Sequence, residues 1–218
     1  MATDEWYRNT TWDNNIEADF EARLKRSRGA YHKAQYLRIQ ASYLLGNSDI
    51  DNQHVGIRLM DRLIKDYPTE EFSTIFGNEQ LGDYYFKSGN YDKAEKHYRL
   101  VTEHYINNSR GGTSATADLK LAETILIANW KDKFEEAYGI CKNFPIDKAF
   151  LNSEKYYHAT LTAQICDKLD KREEAKYFAL LAIEMTKITE PQFNRHKTVG
   201  LVRATDKQLK TLEQIAKE

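Results

Sequence analysis

The sequence lacks a large excess of charge and a long apolar run. Its 32 basic residues almost balance its 33 acidic residues, so the net charge is −1 and no global field attracts a polyanion. Nucleic acid is therefore not expected as a partner. No apolar run approaches the about 20 residues that a membrane-spanning helix needs. The opening residues, MATDEWYRNTTW, lack the cationic and apolar parts of a secretion signal, so we expect a cytoplasmic protein without membrane association.

Cysteine, proline and glycine are also scarce. Cys141 and Cys166 are the only cysteines, and both fall in apolar, helical stretches where a free cysteine usually packs as a small hydrophobe. A disulfide or a reactive thiol is the alternative. Three prolines and ten glycines separate stretches whose apolar residues recur at three- and four-residue spacing. This pattern predicts an all-α protein, and 218 residues suffice for a core that needs no crosslinks.

The segment 78–101 combines small and aromatic residues on two predicted helices. Gly82 lies inside a strongly periodic run although glycine is unfavourable within a helix, which predicts that another backbone passes close to it. Ala94 occupies the matching place after the break KSGNYD. We expect these two small residues to meet where the helices cross. The residues expected to fill the space on either side are Tyr85, Tyr91 and Tyr98.

This segment resembles a tetratricopeptide repeat, in which Leu-Gly-x-x-Tyr on a first helix precedes Ala-x-x-x-Phe on a second. The run Leu81–Tyr85 matches the first part, and Ala94 matches the second. The sequence departs from the pattern at Tyr98, which replaces the Phe, and at Ile106, where a closing Pro is common. Since one repeat cannot bury its own apolar face, the resemblance implies further repeats.

Other segments carry the same pattern in degenerate form. Upstream, Ala41 is the small crossing residue of a first helix that stops at Gly46. The small residues of the successive second helices are Gly56, Ala94, Ala137 and Ala175. They stand 38, 43 and 38 residues apart, more than the 34 of the consensus repeat. The largest excess coincides with residues 107–114, where the stretch SRGG is interpreted as an exposed, flexible loop.

The predicted fold is all-α: a right-handed α-solenoid of about four tetratricopeptide-like helical hairpins with N- and C-terminal capping helices, in a single domain 1–218. The first capping helix is expected to begin after Asp13, whose side chain can cap it, with Trp12 stapling it to the core. The last is expected at about Asp206 to Lys217. The predicted segments are the N-terminal cap 1–30, the hairpins 31–68, 69–108, 113–145 and 152–188, and the connector with the C-terminal cap helix 189–218.

A second resemblance covers nearly the whole chain. The stretches EWYRNTTWD, KAQYLRIQA and HKTVGLV together resemble a set of bacterial tetratricopeptide-type proteins that carry no assigned activity. The resemblance implies a bacterial source and one integrated domain, and it implies nothing about chemistry.

The sequence shows no assembled catalytic or metal-binding motif. Its six histidines are scattered, with no pair at i,i+4 beside a Glu, and the cysteines are not at ligand spacing. The stretch SRGGTS lacks the Lys-Ser/Thr of a phosphate loop, and no G-x-S-x-G is present. Neighbouring carboxylates such as Glu135 and Glu136 diverge by about 100° around a helix. We therefore predict no catalytic residue, no metal site and no cofactor.

A binding groove is the better candidate for function. Stacked helical hairpins form a concave groove lined by one face of each first helix. Projected along the repeats, this face contains Arg38, Ser42, Glu79, Gln80, Asp83, Lys87, Leu126, Trp130, Thr160, Gln164 and Lys168. The predicted partner-binding residues are Arg38, Gln80, Asp83, Lys87, Trp130, Gln164 and Lys168. The alternative for each is an ordinary solvated position.

The groove chemistry disfavours one familiar type of partner. Tetratricopeptide domains that clamp acidic carboxy-terminal tails use Lys, Arg and Asn in this groove, and Glu79 and Asp83 would repel such a tail. Basic residues cluster between 23 and 38 and acidic residues between 66 and 83, so a dipolar surface could orient a partner, or both could be solvated helix faces. Trp6 and Trp12 form either a lid on the first repeat or an anchor for a partner.

The sequence therefore predicts a non-catalytic module that binds another protein or a peptide. A more specific hypothesis is an immunity-type protein that sequesters a toxin or effector. The alternatives are a sensor that binds a peptide or small ligand, and an enzyme whose site joins residues from separate repeats. The oligomeric state is left open.

Overall fold

The chain folds into helices and their connections. The computed structural model describes residues 5–149 and 151–217, and within them ten α-helices and two 3₁₀ turns occur, with no β-strand. Of the residues that the structure describes, 71% are helical, which confirms the predicted all-α class. The helices are α1 (Asn14–Arg26), α2 (Ala30–Leu45), α3 (Ile50–Asp66), α4 (Glu71–Lys87), α5 (Tyr91–Asn107), α6 (Ala117–Ile127), α7 (Phe134–Asn143), α8 (Asn152–Lys168), α9 (Arg172–Thr186) and α10 (Asp206–Lys217). The 3₁₀ turns are Lys131–Lys133 and Ile146–Lys148.

Residues 1–4 and 218 belong to the predicted terminal segments 1–30 and 189–218 and lie outside the described residues. Every helix in the described ranges is too short or too polar to traverse a lipid bilayer. The solenoid arrangement and the tetratricopeptide repeats stay predictions.

Two compact units make up the chain, divided between Ala117 and Asp118. In the first unit, α2 packs on α3 and α4 packs on α5, while α4 also contacts α2 and α3. In the second unit, α8 packs on α9, α7 packs on α8, and α10 packs on both α8 and α9. The predicted single domain 1–218 stays a prediction.

The first helix is capped and covered as predicted. The Asp13 side chain accepts hydrogen bonds from the backbone N–H groups of Asn15 and Ile16, each at 2.8 Å. The rings of Trp6 and Trp12 pack on Phe20, with centroids 5.2 and 5.4 Å away. Phe20 is fully buried, so these indoles cover part of α1, and Trp6 also packs on Tyr36 of α2 with centroids 4.9 Å apart; a lid on a first repeat stays a prediction.

Helices α2 and α3 approach each other at small residues. A Cβ built on Gly56 would lie 2.9 Å from the backbone nitrogen of Leu45 and 3.0 Å from the carbonyl oxygen of Ala41. Both neighbours are backbone atoms of α2, which cannot rotate away. The predicted crossing at Ala41 is confirmed, and α2 ends at Gly46 as predicted.

Helices α4 and α5 are also in close contact, and Tyr98 fills space at the predicted crossing, whereas the contact of Gly82 with Ala94 stays a prediction. The atoms nearest to a Cβ built on Gly82 belong to the Tyr98 ring, at 2.6 to 3.1 Å, and not to Ala94. Ala94 is fully buried one turn earlier on α5. Tyr98 is buried, and its hydroxyl donates to Asp83 Oδ1 at 2.7 Å. The tyrosine ring therefore takes the space that glycine leaves free, and its hydroxyl ties α5 to α4.

The second unit has an alanine-rich core. Ala163 of α8 is buried together with Ala175, Ala179 and Ala182 of α9, and α10 adds Leu212 and Ile215. Cys166 belongs to this core. Both cysteines are free and buried, and burial raises the pKa of Cys141 to about 12 and that of Cys166 to about 11. The prediction that they pack as small hydrophobes is confirmed.

His97 is held in a neutral state by its surroundings in the first unit. Its ring stacks on Tyr85 with centroids 5.6 Å apart, and its Nδ1–H donates to Asn78 Oδ1 at 3.0 Å. Burial, followed by the charges of Lys96 and Lys93, lowers the pKa of His97 to about 4. The His97 imidazole therefore takes up a second ring proton less readily in the folded protein than in an unfolded chain.

The pKa of His97 predicts that stability falls in acid. In an unfolded chain this histidine takes up its proton near pH 6.5, whereas in the folded protein it does so near pH 4. The stability present above pH 6.5 is therefore lost as the pH falls towards 4. We expect His97→Gln to lose less stability than the wild type between pH 7 and pH 5, as measured by urea unfolding. An NMR titration that places the His97 midpoint near 6.5 would contradict this assignment.

Candidate functional site

Four of the seven predicted partner-binding residues lie on two neighbouring helices of the first unit. Arg38 is on α2, and the other three are on α4. Ser42 Oγ of α2 lies 2.5 Å from Gln80 Oε1 of α4. A pocket of about 170 Å³ is lined by Ser42, Leu45, Gly46, Gln80, Asp83, Tyr84 and Lys87. Three of the predicted residues thus line one pocket, and Arg38 lies one helical turn before Ser42.

Arg38 is the most unusual of these residues, because its guanidinium is packed between aromatic rings. Its central carbon lies 4.6 Å from the centroid of the Phe76 ring and 5.5 Å from that of Phe72. Its Nε is buried and has no hydrogen-bond partner among the described residues. Burial lowers the pKa of Arg38, and nearby Tyr31 opposes this effect. We call the surface formed by Arg38, Ser42, Phe72, Phe76 and Gln80 the α2/α4 face.

Phe72 projects from the α2/α4 face into solvent. Its exposed fraction is 58%, and that of Tyr31 is 57%. A Cβ built on Gly112 would lie 2.7 Å from the Phe72 ring, so a larger residue would clash. The φ of Gly112 is 83°, a backbone conformation that also favours glycine. The glycine lets the loop after α5 support one side of the ring. More than half of Phe72 stays exposed beside the Arg38 guanidinium, and aromatic residues and arginine are common in binding hot spots.

Asp83 and Lys87 differ in their surroundings. The Asp83 carboxylate accepts the Tyr98 hydroxyl at 2.7 Å and is therefore engaged in joining α4 to α5. Lys87 is exposed in the last turn of α4. Of the two, Lys87 has the more exposed side chain, whereas one oxygen of Asp83 joins α4 to α5.

Glu79 is not the groove residue that the sequence suggests. Its exposed fraction is 5%, and its carboxylate accepts the backbone N–H of Ser114 at 2.8 Å and also the Ser114 hydroxyl. It therefore does not present its charge at the surface, and the expectation that Glu79 repels an acidic tail is wrong.

The loop at 107–114 is anchored to the first unit. The Arg110 guanidinium lies over the Tyr105 ring at 4.4 Å and donates to the Ala115 carbonyl oxygen at 2.8 Å. Thr113 Oγ1 and the Tyr105 hydroxyl are 2.5 Å apart. Together with the Ser114–Glu79 contacts, these bonds tie the loop to the first unit; the predicted loop lies between α5 and α6, and its flexibility stays a prediction.

The remaining predicted residues lie in the second unit and do not form one cluster. Gln164 and Lys168 of α8 line a pocket of about 430 Å³ together with Leu126, Ile127, Asp167, Thr211, Gln214 and Ile215. Trp130 is half-buried and does not line this pocket; the Lys133 ammonium lies 4.3 Å from its ring centroid. Thr160, placed in the groove from the sequence, is buried. The capping helix α10 thus supplies three of the eight lining residues.

The predicted dipolar surface is weaker than the sequence suggests. On the acidic side, Glu79 is buried and Asp66 pairs with Arg62 at 3.6 Å. On the basic side, Arg23 pairs with Asp19 at 2.9 Å, and Arg38 is packed on phenylalanine rings. Fewer of these charges are therefore exposed and unpaired than the sequence indicates.

Phe72 and Phe76 were missed by reasoning from the sequence. They lie eight and four residues before Gln80 on α4, so they continue the same helical stripe towards the N-terminus. That spacing could have identified them. Apolar residues on a periodic helix are usually assigned to the core. For this reason only the polar residues of α4 were predicted to line the groove.

Comparison of the chain with protein-family models, with curated proteins and with solved structures finds no match. Within residues 5–149 and 151–217, no group of three or more His, Cys, Asp or Glu side chains could hold a metal ion. The candidate functional surfaces are therefore the α2/α4 face and the pockets of the second unit.

Proposed function

We propose that this chain is a non-catalytic, tetratricopeptide-like binding module and that the α2/α4 face binds a peptide segment of another protein. The observation that supports the proposal is the combination of Arg38, stacked and with an unpartnered buried Nε, and Phe72, more than half exposed. A peptide could cover the Phe72 ring with an apolar side chain and offer a carbonyl oxygen to Arg38. Burying such an aromatic ring is strongly favourable.

The neighbouring pocket makes one end of the α2/α4 face polar, while the other end is apolar. Ser42 and Gln80 offer hydrogen-bonding groups beside the apolar rings, and Lys87 supplies a cation at the end of α4. A peptide with an apolar residue followed by a polar or acidic residue fits this order. Because Glu79 is buried against Ser114, the face carries less negative charge than the sequence indicates.

Two truncations on the α2/α4 face test the proposal. Peptides selected from a random displayed library against the full chain should bind Phe72→Ala and Arg38→Ala at least about tenfold more weakly, the loss expected for hot-spot residues. Tyr43→Ala is the matched control, because Tyr43 is also exposed on α2 but lines no pocket described here. Affinities are measured by isothermal titration calorimetry, with circular dichroism to confirm folding.

Equal affinity of the selected peptides for wild type, Phe72→Ala and Arg38→Ala would place peptide binding elsewhere. Failure to select any peptide would contradict a peptide-binding role for this face.

Within the same proposal, the partner is a toxin or effector that the chain sequesters as an immunity-type protein. The small size and the bacterial resemblance motivate this role. We expect a pull-down from the native host to recover a stable protein partner, and co-expression to rescue cells from that partner's toxicity, with rescue reduced by Phe72→Ala. A stable partner that is not toxic, or toxicity without rescue, would contradict the immunity role while leaving peptide binding intact.

A further inference from the structure

The second unit contains an apolar pocket that the sequence did not reveal. It has a volume of about 420 Å³, within the range of small-molecule sites. Helices α7, α8 and α9 all supply lining residues, and the segment after α7 adds Phe144 and Ile146. Its lining residues are Tyr138, Cys141, Lys142, Phe144, Ile146, Lys155, His158, Thr162, Glu174, Tyr177, Phe178, Leu181 and Met185.

Aromatic rings dominate the pocket. His158 is stacked on Phe144, with centroids 5.6 Å apart, and meets Phe178 edge-on at 5.8 Å. Tyr177 meets Phe178 edge-on at 5.1 Å and has an exposed fraction of 63%. The pocket therefore runs from buried rings at its floor to an exposed ring at its mouth, which suits a ligand with a flat apolar body.

The buried polar groups of the floor are already satisfied. His158 Nε2–H donates to the Cys141 carbonyl oxygen at 2.9 Å, and the Thr162 hydroxyl donates to the His158 carbonyl oxygen at 2.7 Å. Burial lowers the pKa of His158, so the ring is neutral at pH 7. None of the described lining residues has a buried side-chain N or O atom without a partner. A ligand thus needs no hydrogen-bonding groups at its buried end.

The charges of the pocket favour an anion. Lys142 is exposed and Lys155 is half-buried, and neither forms an ion pair with a described residue. The one lining carboxylate, Glu174, accepts the Tyr138 hydroxyl at 2.8 and 3.0 Å. This hydrogen bond raises the pKa of Tyr138 to about 12, which keeps the phenol protonated as the donor. Two cations therefore face a single, engaged carboxylate.

We propose that this pocket binds a small carboxylate with a flat apolar body, its ring between the side chains of α7 and α9 and its carboxylate beside Lys142 and Lys155. The volume, the aromatic walls and the two lysines without a carboxylate partner among the described residues carry the assignment; the Lys142 ammonium lies 5.7 Å from the centroid of the Tyr138 ring, at the same pocket. The site shares no residue with the α2/α4 face, so it adds a ligand to the protein and does not replace the peptide.

The probe for this site is 2-naphthoate, titrated into the full chain by isothermal titration calorimetry. We expect saturable binding, and about tenfold weaker binding to the double variant Lys142→Gln/Lys155→Gln, the loss expected for two partly exposed ion pairs. Lys176→Gln/Lys210→Gln is the matched control, because it removes the same charge from the second unit at exposed positions outside the pocket. The neutral naphthalene-2-carboxamide should bind wild type about as weakly as 2-naphthoate binds the double variant.

The aromatic wall has its own test. Tyr177→Ala should weaken 2-naphthoate binding, whereas Leu180→Ala should not, since Leu180 is exposed on the same helix but does not line the pocket. Both substitutions change exposed side chains, so both variants should fold. The proposal is overturned if 2-naphthoate shows no saturable binding at millimolar concentration, or if the wild type binds the neutral amide as tightly as 2-naphthoate. It is also overturned if Lys176→Gln/Lys210→Gln weakens 2-naphthoate binding as much as Lys142→Gln/Lys155→Gln does.

Discussion

Close contact between helices at positions without a side chain is the constraint on which the first unit depends. At Gly56 the backbone of α2 occupies the space of a methyl group, and at Gly82 the ring of Tyr98 does so. These contacts hold α2 against α3 and α4 against α5, and α2 in turn contacts α4. The guanidinium of Arg38 lies over two rings of α4 because the helices are held this close.

Much of the helical framework follows from local signals in the sequence. Asp13 and Gly46 mark helix ends because capping is a property of a few neighbouring residues. The pairing of Ala41 with Gly56 was predicted because small residues inside periodic runs indicate close backbone approach. At Gly82 the atoms nearest to an added Cβ belong to the ring of Tyr98, one turn after Ala94 and one of the tyrosines expected to fill the space there. The spacing of residues in the sequence identifies the helix position that must be small. The tertiary packing decides which neighbouring group fills the space beside it.

The candidate sites were less predictable than the helices. Of the predicted groove residues on α4, Gln80, Asp83 and Lys87 line one pocket, whereas Glu79, directly before Gln80, is buried and bonded to Ser114, 35 residues later. No local pattern reports such a contact. The apolar pocket of the second unit depends similarly on Phe144 and Ile146, which lie between helices where periodicity gives no information. Sequence reasoning thus grouped three residues of α4 that share a pocket, but it misassigned Glu79 and Thr160 and missed what loops add.

The central claim is tested most directly by the free energy of unfolding of Gly56→Ala, measured by urea denaturation and circular dichroism. Alanine stabilises a helix interior over glycine by about 1 kcal/mol when space allows, and Gly139→Ala on α7 should show this gain because no atom lies within 4 Å of its added Cβ. At Gly56 the methyl would meet backbone atoms of α2, so we expect a loss of about 1 to 3 kcal/mol. A Gly56→Ala protein as stable as the wild type, or more stable, would contradict the account.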